Sequence, residues 1–289
     1  MNTTAVANTS LSSSNAMTSE REALRSAQRK KRRIEQKIAL VQVLLLAVVL
    51  AFWELASGRL FDLFWVSRPS LILQYIWDFV QKDFWKHFMF TMTATWVGFA
   101  AGAAGGMLAG MGLSRSAFLS AVLDPFLVAI NGIPRVALAP LFVVWFGIGL
   151  LPKIVLVFTL VFFVMFYNTY SGIKSIEKSF VDLAWVMGAN DKAIFRKVVL
   201  PAATPYIFLG LKLSIPYALI GAIIGEFVAS SAGLGWKIQV ETAQYNTTGT
   251  MAGLLLLMAI VTVMNALFSL FERRMLRWRP PTRIGQLDA

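Results

Sequence analysis

Six apolar stretches, each long enough to cross a bilayer, leave this chain few folds to choose from. They occupy 38–56, 88–113, 117–150, 153–173, 205–228 and 251–271. A hydrocarbon core takes about 20 residues of helix to span. Non-helical backbone is tolerated there only where protein or a water-filled cavity surrounds it. The expected class is therefore an all-α membrane protein with about six transmembrane helices. The stretch 117–150 is too long for one straight crossing and contains Pro125, Pro134 and Pro140, so it reads as a crossing followed by a broken or re-entrant section.

Composition agrees: 57% of residues are hydrophobic and 15% charged, against about 25% charged in soluble domains. Absence of cysteine rules out a disulfide framework and a thiolate metal site. The formal charge of +12 invites a nucleic-acid reading, but its distribution opposes that. Eight Lys and Arg against three acids fill 20–37, and Arg273, Arg274, Arg277, Arg279 and Arg283 cluster near the other end. Both clusters abut apolar spans, the pattern of positive-inside retention. The first 19 residues carry no charge and are rich in Ser, Thr, Asn and Ala, which predicts a disordered tail. The run 38–56 lacks a signal-peptide cleavage site and reads as a retained helix. The chain then divides into a basic cytoplasmic tail over 1–37, a transmembrane domain over 38–280 and a tail over 281–289. Six crossings put both termini on the cytoplasmic side, together with the polar island around Asp182. The segments 57–87 and 229–250 fall on the opposite side.

That island, 178–201, reads as two short helices broken at a glycine. Ser179 and Asp182 form a capping-box-like pair, and Phe180, Leu183, Ala184 and Met187 share one helical face. Gly188 stands where a helix C-terminus favours a left-handed residue. Asn190 and Asp191 are set to cap a second helix over 192–200, which Pro201 is expected to stop. An apolar stripe between membrane spans needs a partner.

Gly98, Gly102, Gly106 and Gly110 recur every fourth residue of the second span and line one face. Such small-residue spacing permits close helix approach, either within the subunit or at a dimer or sliding contact. Enzyme chemistry finds little support. The single histidine, His87, stands at a span boundary, and no G-x-x-x-x-G-K-[ST] loop occurs, so this chain should not hydrolyse nucleotide. Gly233-Leu234-Gly235 reads only as a glycine turn. Ionisable residues in or near the spans are few: Arg135, Lys212 and Glu226. Lys212 lies near the cytoplasmic end and can snorkel. Arg135 can face an anion in a pathway or bond carbonyls freed by Pro134, and Glu226 can cap, pair or gate at the outer end.

The spacing Asp182-Leu183-Ala184, Gly188, Val198-x-Leu200-Pro201 resembles the EAA loop of ABC-importer permeases, E-A-A-x3-G-x9-I-x-L-P. Asp182 stands for Glu, Leu183 for the first Ala and Val198 for Ile. Ile133-Pro134-Arg135-Val136-Ala137-Leu138-Ala139-Pro140, Trp145-Phe146-Gly147-Ile148-Gly149, Gly225-Glu226-Phe227 and Trp278-Arg279-Pro280 are similar to the nitrate/sulfonate/taurine branch. This resemblance implies a MetI-like permease of the plasma (inner) membrane, acting as a homodimer. Two separate ATPase subunits would bind ATP and Mg, and an extracytoplasmic solute-binding protein would deliver substrate. The chain itself would need no cofactor. Asp182, Leu183, Ala184, Gly188, Val198, Leu200 and Pro201 would form the ATPase-coupling surface, with Arg135 and Glu226 as candidates for the translocation path or gate. The implied substrate is a small solute, anionic in that branch. The alternative is an ATP-independent secondary transporter or channel.

Overall fold

A computed structural model describes Ile34 and residues 36–276, and all regular elements among them are helical. Of the tail expected over 1–37, all but Ile34, Gln36 and Lys37 lies outside the described residues, and Gln36 and Lys37 already belong to the first helix. The tail expected over 281–289 and Trp278-Arg279-Pro280 also lie outside. The chain divides into two compact units, one ending at Ser70 and one beginning at Leu71.

In the first unit, α1 (Gln36–Ala56) is an unbroken apolar helix whose spanning window has no buried residue. A helix that is apolar all round and left uncovered by the described residues is at home in lipid. After α1 the chain turns at Gly58 (φ +81°) and runs back to Ser70.

The second unit is built on three helices: α3 (Phe84–Ser114), α6 (Leu151–Lys174) and α9 (Leu200–Val228). Ala94, Ala103, Val157, Val161, Met165, Ile207, Ala218 and Ala222 interlock at its centre. Glycines set the spacing. A methyl on Gly98 would stand 2.5 Å from Val157 Cβ, on Gly102 2.8 Å from Phe158 O, and on Gly110 2.9 Å from Phe166 O; one on Gly106 would meet Phe162 O. The glycine stripe thus faces α6 within the subunit, where backbone lies against backbone.

The long stretch after α3 is broken as its prolines require. The helix α4 (Ala117–Asn131) keeps Pro125 inside it, a 3-10 turn (Arg135–Leu138) follows Pro134, and α5 (Ala139–Phe146) has Pro140 in its first turn. The two halves bend by 73°, giving five helices able to cross a membrane, or six with the bent pair as one span.

A second apolar cluster joins α2 (Pro69–Lys82), α3, α9, α10 (Leu234–Ala243) and α11 (Thr247–Met275) through Phe79, Met92, Ile215, Leu219, Leu234 and Met264. The helix α11 runs longer than 251–271 at both ends, and α3 starts before 88, because hydropathy marks the hydrocarbon depth rather than the helix limits. Lys212 does not simply snorkel: its Nζ pairs with Glu272 Oε2 of α11 at 3.1 Å.

Candidate functional site

Two sites emerge, at opposite ends of α9. The first is the helix pair over 178–201. Here α7 (Lys178–Val186) begins after Glu177, whose side chain makes no cap bond. Ser179 therefore does not form the expected capping box with Asp182: it sits inside the first turn, and its hydroxyl donates to Glu177 Oε2 at 3.2 Å. The other end follows expectation. Gly188 has φ +80°, Ala189 N–H reaches back to Ala184 O at 3.0 Å, and Gly188 N–H donates to Trp185 O at 2.9 Å. This six-to-one and five-to-two pair is a Schellman close, which the positive φ of glycine makes cheap. Nothing lies within 4 Å of a methyl at Gly188, so its constraint is conformational rather than steric.

Asn190 then caps α8 (Asp191–Ile194), its side chain accepting Ala193 N–H at 2.9 Å. Pro201 does not stop this helix. A π turn (Phe195–Val199) intervenes, and the backbone stays helical from Asp191 to Val228. Proline lacks an N–H and crowds the carbonyl four residues back; widening the preceding turn accommodates both. Arg115, just past the end of α3, stacks its guanidinium on the Phe195 ring at 4.4 Å and braces this turn.

The face of α7 remains bare. Phe180, Leu183, Trp185, Val186 and Met187 are all exposed, Asp182 and Gly188 with them, while Ala184, Val198 and Leu200 are half-buried and Pro201 is exposed. They make up a ledge whose exposed apolar side chains nothing among the described residues covers.

The second site is the turn from α9 into α10. Three successive backbone N–H groups open α10, and three side chains receive them. Gly233 N–H donates to His87 Nδ1 at 3.1 Å, Leu234 N–H to Thr91 Oγ1 at 2.8 Å, and Gly235 N–H to Glu226 Oε2 at 2.7 Å. Thr91 in turn donates to Glu226 Oε1 at 2.8 Å. His87, Thr91 and Glu226 are buried, and Gly233 (φ +116°) has no room for a side chain because the Glu226 carboxylate occupies that space. A carboxylate at a helix N-terminus meets both unpaired donors and the positive dipole end.

Lys153 of α6, fully buried, directs its ammonium to Gly149 O at 2.7 Å and Ala229 O at 2.8 Å, and its charge acts on Glu226. Glu241 fastens the far end of α10. It accepts from Tyr75 Oη and Asn246 Nδ2, each at 2.6 Å, and pairs with Lys237 at 2.5 Å. Burial raises its pKa, but the bonds from Lys237, Tyr75 and Asn246 outweigh this and hold it below the usual value. Burial and the same carboxylate push the Tyr75 phenol up, so Tyr75 stays a donor.

Arg135 is at neither site. Its Nη2 donates to Asn131 Oδ1 at 2.6 Å, and the guanidinium stacks on Phe163 at 4.1 Å, tying the broken helix to α6. Sequence reasoning missed Thr91 and Lys153 as partners of Glu226, and His87 as the acceptor for Gly233. The signal available was a carboxylate seven residues before Gly-Leu-Gly.

A broken third crossing, a capped helix pair and a long α9 together describe a particular transport architecture. Residues 101–277 match the family described as binding-protein-dependent transport system inner membrane component. The chain belongs to this family. It is 32% identical over 237 residues to the riboflavin transport system permease protein of Chloroflexus aurantiacus, covering 81% of this chain and 88% of that one. The formylaminopyrimidine transport permease protein of Halalkalibacterium halodurans is 28% identical, over 83% of this chain and 96% of that one. The taurine transport system permease protein of Escherichia coli is 25% identical, over 81% and 87%. In fold, the chain is similar to an inward-facing structure of the MetNI methionine ABC transporter (TM-score 0.54, 23% identity, 66% of this chain and 93% of that one). The chain is thus the membrane permease component of an ABC importer, which sets aside the secondary transporter or channel.

Proposed function

We propose that the ledge over 178–201 is the surface through which a separate ATPase drives this permease. One observation carries the reading: Phe180, Leu183 and Met187 form an uncovered apolar stripe on a helix closed by a rigid glycine turn. The second helix of the pair is continuous with α9, so displacement of the ledge tilts or translates a membrane helix instead of dissipating in a loop. In this reading Asp182, Leu183, Ala184 and Gly188 meet the ATPase, while Val198, Leu200 and Pro201 form the root of the lever. ATP and Mg are bound by that partner, since this chain carries no phosphate-binding loop. Two permeases and two ATPases assemble, with both termini cytoplasmic, and a solute-binding protein delivers substrate from outside.

Absence of native cysteine makes the test direct. With Ala184→Cys, a bifunctional thiol reagent should crosslink the permease to a copurifying ATPase, and with Trp236→Cys it should not. Equal crosslinking at both positions, or transport that continues without ATP, would overturn the reading.

The buried cluster of His87, Thr91, Lys153 and Glu226 supports a second role, as the latch of the outer gate. It holds the start of α10 to α3 and α9, with Lys153 of α6 bonded to Ala229 O in the preceding turn, and opening on that side strains it first. The anionic substrate of the nitrate/sulfonate/taurine branch remains a proposal; relatives at similar identity are named for riboflavin and a formylaminopyrimidine, and the binding protein's ligand would decide among these classes.

A further inference from the structure

The segment after α1 folds back onto the helix it has just left. Leu60 N–H donates to Ala56 O at 2.8 Å and Gly58 N–H to Phe61 O at 2.7 Å. Farther along, Trp53 Nε1 donates to Ser67 O at 2.9 Å, Arg68 Nε to Ser57 O at 3.1 Å, and the Ser57 hydroxyl to Val66 O. Ser70 donates through N–H and hydroxyl to the Glu54 carboxylate at 3.0 and 2.7 Å. Trp53 lies one turn inside α1, so Ser67 is held level with that turn. The residues between cannot stand away from the membrane end of the helix.

On this tethered loop Leu60, Phe61 and Trp65 are 72%, 53% and 73% exposed, and Arg59 is exposed beside them. The depth is set by α1, whose own apolar side chains are equally uncovered. Aromatic rings favour the headgroup level, and an arginine there reaches phosphates while its stem stays in the apolar layer. A soluble partner would have to enter the headgroup region to cover the same side chains. The family match begins only at residue 101 and does not include this loop.

We propose that residues 58–66 are an interfacial anchor. They seat the Ala56 end of α1 in the headgroup–acyl boundary, with Leu60, Phe61 and Trp65 in lipid and Arg59 at phosphate. The anchor fixes the depth of α1 without help from the rest of the chain. It rests on α1 crossing the bilayer and is independent of coupling to an ATPase.

Full-length Trp65→Cys and, separately, Phe61→Cys protein would carry a polarity-sensitive fluorophore in vesicles of phosphatidylethanolamine and phosphatidylglycerol, without nucleotide. The expected result is blue-shifted emission. Most of the signal should be lost to phospholipid bearing a nitroxide near the headgroup, less to one at the chain terminus, and little to aqueous iodide. Emission open to iodide and untouched by lipid nitroxide at both positions would overturn the anchor. So would shielding that appears only on adding the solute-binding protein, which would assign the loop to a protein. A label at Leu46→Cys should be quenched best by the chain-terminal nitroxide. Were it not, α1 would not cross, and the anchor would fall while the coupling reading stood.

Discussion

Gly188 carries the most specific constraint of any single residue. Its φ of +80° closes α7, and no neighbour crowds it. An L-residue held there costs roughly 1–2 kcal/mol, more for a β-branched one. Gly188→Val should therefore leave membrane insertion intact and reduce the transport obtained per ATP hydrolysed, measured in proteoliposomes; loss of the protein from the membrane would instead mark a folding role. Glu226 is the opposite case, constrained by what it bonds. Glu226→Leu strips the acceptor from Gly235 N–H and leaves Thr91 only its longer bond to His87 O, and a buried donor left unpaired costs about 1–3 kcal/mol. Glu226→Gln retains one carbonyl acceptor, so thermal unfolding in detergent should rank wild type above Gln and Gln above Leu. Equal melting of all three would remove the latch.

Among the elements, the packing of α3 on α6 depends on absent side chains. Gly106→Ala would drive a methyl into Phe162 O, and the helices must separate; overpacking of this kind costs about 1–3 kcal/mol. Gly112→Ala, with nothing within 4 Å, should be neutral or stabilise by up to about 1 kcal/mol. Chemical denaturation of the pair separates packing from helix propensity. Element by element, the spans were legible because hydrocarbon imposes a length that composition records. The Gly188 close and the Asn190 cap were legible because both are local. Pro201 misled because its effect depends on whether the turn before it can widen to a π turn. Ser179 misled because a hydroxyl two residues inside α7 has the same spacing to an acid as a true cap. His87 stayed hidden because its partner, Gly233, lies 146 residues away, and no sequence pattern spans that distance.

For the molecule as a whole, α10 is fastened at its start by Glu226 and near its end by Glu241, which joins α2 to the start of α11. The Glu241 carboxyl titrates below its usual value when folded. Its contribution is therefore fully present above the unfolded pKa of about 4.3 and is lost as pH falls through the lower folded one. Melting temperature should drop on acidification through and below pH ~4, and Glu241→Gln should flatten that part of the profile while lowering stability at neutral pH. An unchanged slope in the variant would shift the acid sensitivity to other carboxylates.

The unbroken helix from Asp191 to Val228 also governs how relatives of this protein can be recombined. Beyond the π turn, the 29 residues of α9 make one rod about 44 Å long, and each inserted or deleted residue turns everything beyond it by about 100°. A chimaera joined inside the rod with a one-residue mismatch would aim Glu226 away from Gly235 even if every other contact were preserved. Exchange of the block 178–243 as a unit keeps ledge, rod and latch in phase, which makes this stretch the natural cassette for grafting one importer's drive onto another.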